Sequence, residues 1–132
     1  MTEARDELSF RIDAPVATII MDRPSRRNAL SRKQVGSLIQ TFNDLHTEGS
    51  VRAVVLTGGG ETFCSGTDLA EMKESFDSPD SFKHWHEDSQ AFLELIEIML
   101  RFPKPILGAV NGPVVGSGLA LMLATDFVVA SQ

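Results

Sequence analysis

Two glycine-rich junctions constrain this chain more than any other feature. The first, Thr57-Gly58-Gly59-Gly60-Glu61-Thr62-Phe63-Cys64-Ser65-Gly66-Thr67-Asp68, follows the apolar run Ala53-Val54-Val55-Leu56. The second, Asn111-Gly112-Pro113-Val114-Val115-Gly116-Ser117-Gly118, follows Ile106 to Val110. Each leads into a helix-like stretch. A buried strand, a tight turn and a helix, met more than once, point to an α/β domain in which helices cover a sheet. Glycine permits turn conformations closed to other residues and lets a ligand come close to the backbone. Paired turns of this kind can aim two backbone N–H groups at one oxygen, which stabilises negative charge forming on a carbonyl.

The flanking sequence fits that class. Leu8, Phe10 and Ile12 alternate with polar residues, predicting a half-buried strand over Leu8 to Asp13. Val16 to Met21 is a second strand, so the pair reads as a hairpin broken at Ala14-Pro15. Asp22 to Asn28 is a charged loop. Ser31 with Gln34 predicts a reciprocal capping box, and Val35, Leu38, Ile39, Phe42 and Leu45 then share one helical face that Gly49 ends. Arg52 to Thr57 is a buried strand, and Asp68 to Ser75 a short helix with acid near its start. Ser78-Pro79 predicts the cap and first position of a longer helix running to Arg101. Its face of Trp85, Ser89, Phe92, Ile96 and Met99 reads as core. Pro103 and Pro105 stop it. A strand over Ile106 to Val110, an apolar helix over Gly118 to Thr125 and a strand from Phe127 to Ala130 complete the order. The whole, 1–132, is expected to be a single domain.

The segment Leu119 to Ala124 has no polar face, and a helix apolar all round needs burial on every side. The expectation is an N-terminal part of a larger fold, or a partner that supplies the cover. Residues 105–125 carry no charge, a length that can span a bilayer. Pro105, Asn111, Gly112, Pro113, Gly116, Ser117 and Gly118 interrupt the run, so a buried strand, turn and helix are expected instead of a membrane span. The net charge of −6 disfavours a nucleic-acid partner. A single cysteine, Cys64, excludes an internal disulfide and suggests a reducing, cytoplasmic setting.

Several chemistries fail on spacing. Ser117 does not sit in a nucleophile elbow, because Val115 and Leu119 stand where glycines belong. Gly116-Ser117-Gly118 lacks the third glycine of a dinucleotide fingerprint, Leu121 taking its place. His84 and His86, with Glu87 and Asp88, fall two apart on a helix and do not share a face, so a solvated surface is expected and no metal. Glu71 and Glu74 read as helix-surface acids, and Cys64 as a small buried residue. Arg23, Arg26, Arg27, Arg32 and Lys33 are five of twelve basic residues, gathered in one segment of an acidic chain. Such a cluster suits a polyphosphate ligand, and equally a solvated loop.

Three segments together resemble the enoyl-CoA hydratase/isomerase (crotonase) family. Met21-Asp22-Arg23-Pro24-Ser25-Arg26-Arg27-Asn28-Ala29-Leu30 is similar to its "RP…NAL" loop. Phe63-Cys64-Ser65-Gly66-Thr67-Asp68-Leu69, with Glu71-Met72, resembles a segment usually written F-x-A-G-A-D-L. Lys104-Pro105-Ile106, then Asn111-Gly112-Pro113, Gly116-Ser117-Gly118 and Asp126, resembles a second. The resemblance covers the chain but only about the first half of a typical member. It implies a crotonase-like spiral of ββα units, incomplete at the C-terminus, assembled as a homotrimer or dimer of trimers. It implies an acyl-CoA thioester as ligand, with no cofactor beyond the coenzyme A that enters with the substrate.

By the same resemblance, the N–H groups of Thr67 and Ser117 match two oxyanion donors. Ser25, Arg26, Arg27 and Ala29 match the loop along the coenzyme A arm. Ser65, Gly66, Asp68, Leu69 and Ala70 match substrate-binding positions of the first junction, as Val115, Gly116 and Ala120 do in the second. Ala120 departs from the hydratases, which carry a glutamate there. An alanine cannot transfer a proton, so isomerisation through one acid is favoured over two-glutamate hydration. The alternative functions are a non-catalytic acyl-CoA-binding or scaffold module, and an inactive fragment.

Overall fold

The computed structural model describes residues 2–132. Six strands form one sheet in the order of the sequence: β1 (Thr2–Arg5), β2 (Leu8–Asp13), β3 (Val16–Met21), β4 (Ala53–Gly58), β5 (Ile106–Val110) and β6 (Phe127–Ala130). β1, β2 and β3 pair antiparallel, while β3 to β6 run parallel. Parallel neighbours need crossovers, and helices supply them. α1 (Arg32–Thr47) links β3 to β4, α2 (Leu69–Asp77) and α3 (Ser81–Leu100) link β4 to β5, and α4 (Ser117–Leu123) links β5 to β6.

Strand periodicity sets which side chains enter the core. Ala17, Ile19 and Met21 of β3, Val54 and Leu56 of β4, and Ile106 of β5 are fully enclosed. They meet Leu38, Phe42 and Leu45 of α1 and Leu95 and Met99 of α3. Phe42 packs edge-to-face on Phe102, with ring centroids 5.3 Å apart. Lys104 closes the C-terminus of α1 by donating to the carbonyls of Leu45 and Glu48 at 2.5 and 2.7 Å. A cation on those carbonyls also opposes the helix dipole.

Met21 pairs with Gly58, and Thr57 with Ala109. The carboxyl ends of β3, β4 and β5 therefore lie side by side. The loop after each strand, including both glycine-rich junctions, emerges at that one edge. In open parallel sheets this is where ligands bind.

The structure departs from the sequence expectations in five places. β1 is an additional strand; Arg5 holds it by donating to Thr41 Oγ1 at 3.1 Å and Asp44 Oδ2 at 2.6 Å, and lies 4.8 Å from the centre of the Phe10 ring. Only half of the capping box forms. Ser31 Oγ accepts from the Gln34 N–H at 3.0 Å, but the Gln34 side chain donates to Glu7 O at 2.9 Å instead of returning to Ser31. Ser78-Pro79 forms a turn between α2 and α3, closed by the Ser81 N–H on Ser78 O at 3.1 Å, and Asp80 is the N-cap. Trp85 is not core: it is 60% exposed, because only the C-terminal half of α3 sits on α1 and the sheet. Likewise α4 buries only Gly118 and Leu121, and Leu119 and Leu123 are exposed.

Candidate active site

Two asparagines shape the first junction. Asn28, fully enclosed, donates to the carbonyls of Gly59 and Thr62 at 2.9 and 2.7 Å and accepts from the Arg23 N–H at 2.8 Å. Asn111 donates to the carbonyls of Gly58 and Gly60 at 2.8 and 2.9 Å and accepts from the Gly58 N–H at 3.1 Å. A side-chain amide offers donors and an acceptor in one plane, so it can stand in for a strand where the ladder stops. The chain is also bare where it crosses itself: a Cβ on Gly112 would lie 2.0 Å from Glu61 O. Asn111→Ala strips three backbone groups of their partners. We expect it to lower stability by about 2 kcal/mol, read as a shift of the urea midpoint at unchanged m-value.

Arg23, expected among phosphate-binding cations, is committed inside the protein. Its Nη1 donates to Asp68 Oδ2 at 2.8 Å and Ala29 O at 2.6 Å, and its Nε lies 3.0 Å from Glu7 Oε1. Asp68 is the N-cap of α2, accepting from the Ala70 and Glu71 N–H groups at 2.9 and 3.3 Å. Burial pushes the Asp68 carboxyl up. The Arg23 guanidinium and the two amides outweigh that and hold it below its ordinary 3.8. Arg32 is also committed, forking onto Asp88 at 2.7 and 2.8 Å and donating to Ser75 Oγ. Arg26, Arg27 and Lys33 remain exposed, with no ion pair among the described residues. Asp88 is thus an ion-pair partner, and no group of three metal-ligating side chains is found among the described residues. The Cys64 thiol is enclosed, and burial pushes its pKa up, away from a reactive thiolate.

The two junctions meet at Gly66 and Ser117. Leu30 bridges the first: its N–H donates to Gly66 O at 2.7 Å, and its carbonyl accepts from the Asp68 N–H at 3.1 Å. A trans peptide points its C=O and N–H in opposite directions, so the Thr67 N–H faces away from Leu30. The Gly116 carbonyl accepts from the Leu119 N–H at 3.0 Å, which turns the Ser117 N–H away from the body of α4. Neither N–H has an acceptor within the chain among the described residues. Gly66 (φ +95°) and Gly116 (φ +57°) take backbone conformations that side chains disfavour. A Cβ on Gly66 would sit 2.9 Å from Val115 O and 3.6 Å from Ser117 N. Gly118 abuts Cys64 so closely that a Cβ would lie 2.6 Å from its carbonyl oxygen. The Thr67 and Ser117 hydroxyls are 3.0 Å apart and exposed.

Of the other expected positions, Asp68 lines the same cavity as Thr67 and Ser117, and backbone hydrogen bonds tie Arg27, Ser65 and Val115 to the two junctions. Ser65 donates its N–H to Arg27 O at 3.0 Å, and the Val115 N–H donates to Cys64 O at 3.0 Å, so the loop carrying Ser25, Arg26, Arg27 and Ala29 is tied to the first junction and the second to both. The Asp68 carboxylate is occupied by Arg23 and the α2 cap, and its backbone N–H and carbonyl are paired with Leu30 O and the Met72 N–H at 3.1 and 3.0 Å, so its polar groups are engaged within the chain. Leu69 and Ala120 are exposed. A cavity of about 800 Å³ is lined by Thr67 and Ser117 together with Met72, Phe76, Trp85 and Phe92. Spacing did not reveal this cavity, nor the scaffolding roles of Asn28 and Asn111.

Comparison with known proteins places these features in a wider set. The profile described as enoyl-CoA hydratase/isomerase matches residues 11–132. A putative enoyl-CoA hydratase of Thermus thermophilus is 40% identical over 119 residues, 89% of this chain and 46% of that protein. A 4-chlorobenzoyl coenzyme A dehalogenase of an Arthrobacter species is 36% identical over 117 residues, 89% and 42% of the two chains. Among solved structures, an enoyl-CoA hydratase from Bacillus anthracis superposes with a TM-score of 0.84 at 29% identity, over 94% of this chain and 47% of that one. A Pseudomonas aeruginosa protein gives 0.92 at 34% identity, over 99% and 55%. The chain spans about half the length of the curated relatives it matches. No helix among the described residues is long and apolar enough to cross a membrane.

Proposed function

The chain belongs to the enoyl-CoA hydratase/isomerase family, and from that premise we propose that it carries the thioester-handling part of an acyl-CoA-processing enzyme. Its fold is the crotonase-like one of its structural neighbours. The N–H groups of Thr67 and Ser117 receive the thioester oxygen as it becomes an enolate. The observation that carries this reading is the pair of amides without partners, on residues whose hydroxyls stand 3.0 Å apart. Preorganised donors of this kind act most strongly on charge that develops in the transition state.

Arg26 and Arg27 are free to meet the pyrophosphate and 3′-phosphate of coenzyme A, with Ser25 and Ala29 presenting backbone along its arm. The acyl group occupies the cavity beside Met72 and Trp85. Ala120 has no ionisable group, so the favoured reaction is double-bond isomerisation. A base takes the proton from C2 of a 3-enoyl thioester. The electron pair spreads over C2, C3 and C4 and onto the thioester oxygen, and the proton returns to C4. One carboxylate from elsewhere in the assembled enzyme, a homotrimer or dimer of trimers, supplies that base.

Calorimetry tests the reading with two ligands, an acyl-CoA thioester and the thioether that lacks its carbonyl. The thioester is expected to bind about tenfold more tightly, the worth of one to two net hydrogen bonds. Equal affinities would mean that no hole grips the carbonyl. Ala120 also favours a second reading, a non-catalytic acyl-CoA binder. Tight binding of 3-enoyl-CoA without any conversion to the 2-enoyl isomer would select it.

A further inference from the structure

We infer that the side-chain hydroxyls of Thr67 and Ser117 supply a third hydrogen bond to the thioester oxygen, beside the two amides; the inference rests on the thioester reading above. Thr67 stands where the motif this segment resembles is written with alanine, so this chain brings a hydroxyl to that place. Thr67 belongs to the first junction and Ser117 to the second, and they approach only at the ligand edge of the sheet. Their oxygens lie 3.0 Å apart, and both residues line the same cavity.

Counting protons shows what the pair offers. Two hydroxyls bring two protons. One is spent between them, and the other is free to donate. A serine or threonine can present its own N–H and O–H to the same acceptor oxygen. Two such residues in hydroxyl contact, each with a free amide, therefore surround one point with donors. Among the described residues neither hydroxyl bonds a carboxylate. Asp68 is held by Arg23 and the α2 cap, and Glu71 accepts from the Arg32 N–H at 2.8 Å.

The gain falls on the transition state. Toward a neutral carbonyl the hydroxyl exchanges with water at little advantage, whereas toward an oxyanion the bond is charge-assisted and about twice as strong. Removing it should therefore lower kcat and leave KM almost unchanged.

The test uses Thr67→Val, Ser117→Ala and the double variant, in the protein expressed from its complete reading frame. Valine keeps the branched shape of threonine, and the backbone amides remain. The readouts are kcat and KM for enoyl-CoA isomerisation and the absorbance of bound cinnamoyl-CoA, which moves to the red as its carbonyl is polarised. The double variant is expected to lose roughly 10- to 100-fold in kcat and part of the red shift, and Thr67→Ser should retain both. Unchanged kcat and absorbance, or a rise in KM alone, would overturn the role. If the native protein neither binds cinnamoyl-CoA nor shifts its spectrum, the thioester reading itself fails. A shifted native spectrum with an unaltered double variant refutes the hydroxyls alone.

Discussion

On the proposed role of the Thr67 N–H as an oxyanion donor, Gly66→Ala is expected to reduce acyl-CoA turnover by about 100- to 1,000-fold, the worth of one preorganised donor. Gly66 sits at φ +95°, where a side chain is strained by itself at a cost of about 1–3 kcal/mol. The new methyl would also stand 2.9 Å from the carbonyl oxygen of Val115, a backbone atom with little freedom to withdraw. Gly66 cannot slide away either, because its own carbonyl is held by the Leu30 N–H at 2.7 Å. Relief by rotating the peptide between Gly66 and Thr67 must give up that Leu30 bond, because the Gly66 carbonyl turns with it. That rotation moves the Thr67 N–H off its aim. Gly36→Ala is the control: Gly36 lies in α1 with open space around it, and alanine there should stabilise by about 0.5–1 kcal/mol. Both variants are to be compared in kcat/KM and in urea midpoint. A Gly66→Ala enzyme with native turnover would show that the conformation at this position does not aim the amide.

The same residue illustrates what could be read before the fold was known. Glycine at 66, 116 and 118 signals a backbone that must turn or come close, and that requirement is local, so it shows in the sequence. Strands β2 to β6 and the first turn of α1 were legible for the same reason: period, apolar content and a capping serine act over a few residues. β1 was not. Thr2 to Arg5 has no apolar alternation, being an edge strand exposed on both sides and held by its pairing with β2 and by the reach of Arg5 to Asp44. Trp85 shares a helical stripe with Phe92, Ile96 and Met99, but a stripe says which residues face one way, not how far the cover extends. The basic cluster divided for a related reason. Charge is visible in sequence, whereas partners 45 and 56 residues away are not, and Asp68 and Asp88 take Arg23 and Arg32 out of solution. What remains exposed without an ion pair among the described residues, Arg26, Arg27 and Lys33, is the part still free to meet phosphate.

The partnership of Arg23 with Asp68 leads to the second large effect. Arg23→Leu should lower stability by about 3–5 kcal/mol, the usual result of stranding one member of a buried ion pair. The side chain of Arg23 joins the turn after β1 through Glu7, the loop at Ala29 and the cap of α2 at Asp68. Leucine keeps the apolar bulk and removes all three links. The pH dependence separates charge from packing. In the native protein the Asp68 carboxyl is held below its unfolded value of about 3.9, so its contribution is complete above that value and fades as pH falls through the folded one. In Arg23→Leu, burial is opposed only by the Ala70 and Glu71 amides, and the carboxyl rises. Protonation then costs the folded variant less than it costs the native protein as the medium becomes more acid. The gap in urea midpoint between the two proteins should therefore be widest near pH 7 and narrow toward pH 3. A gap that stays constant across that range would mean that Arg23 holds the site by shape, and that the cap of α2 does not depend on its charge.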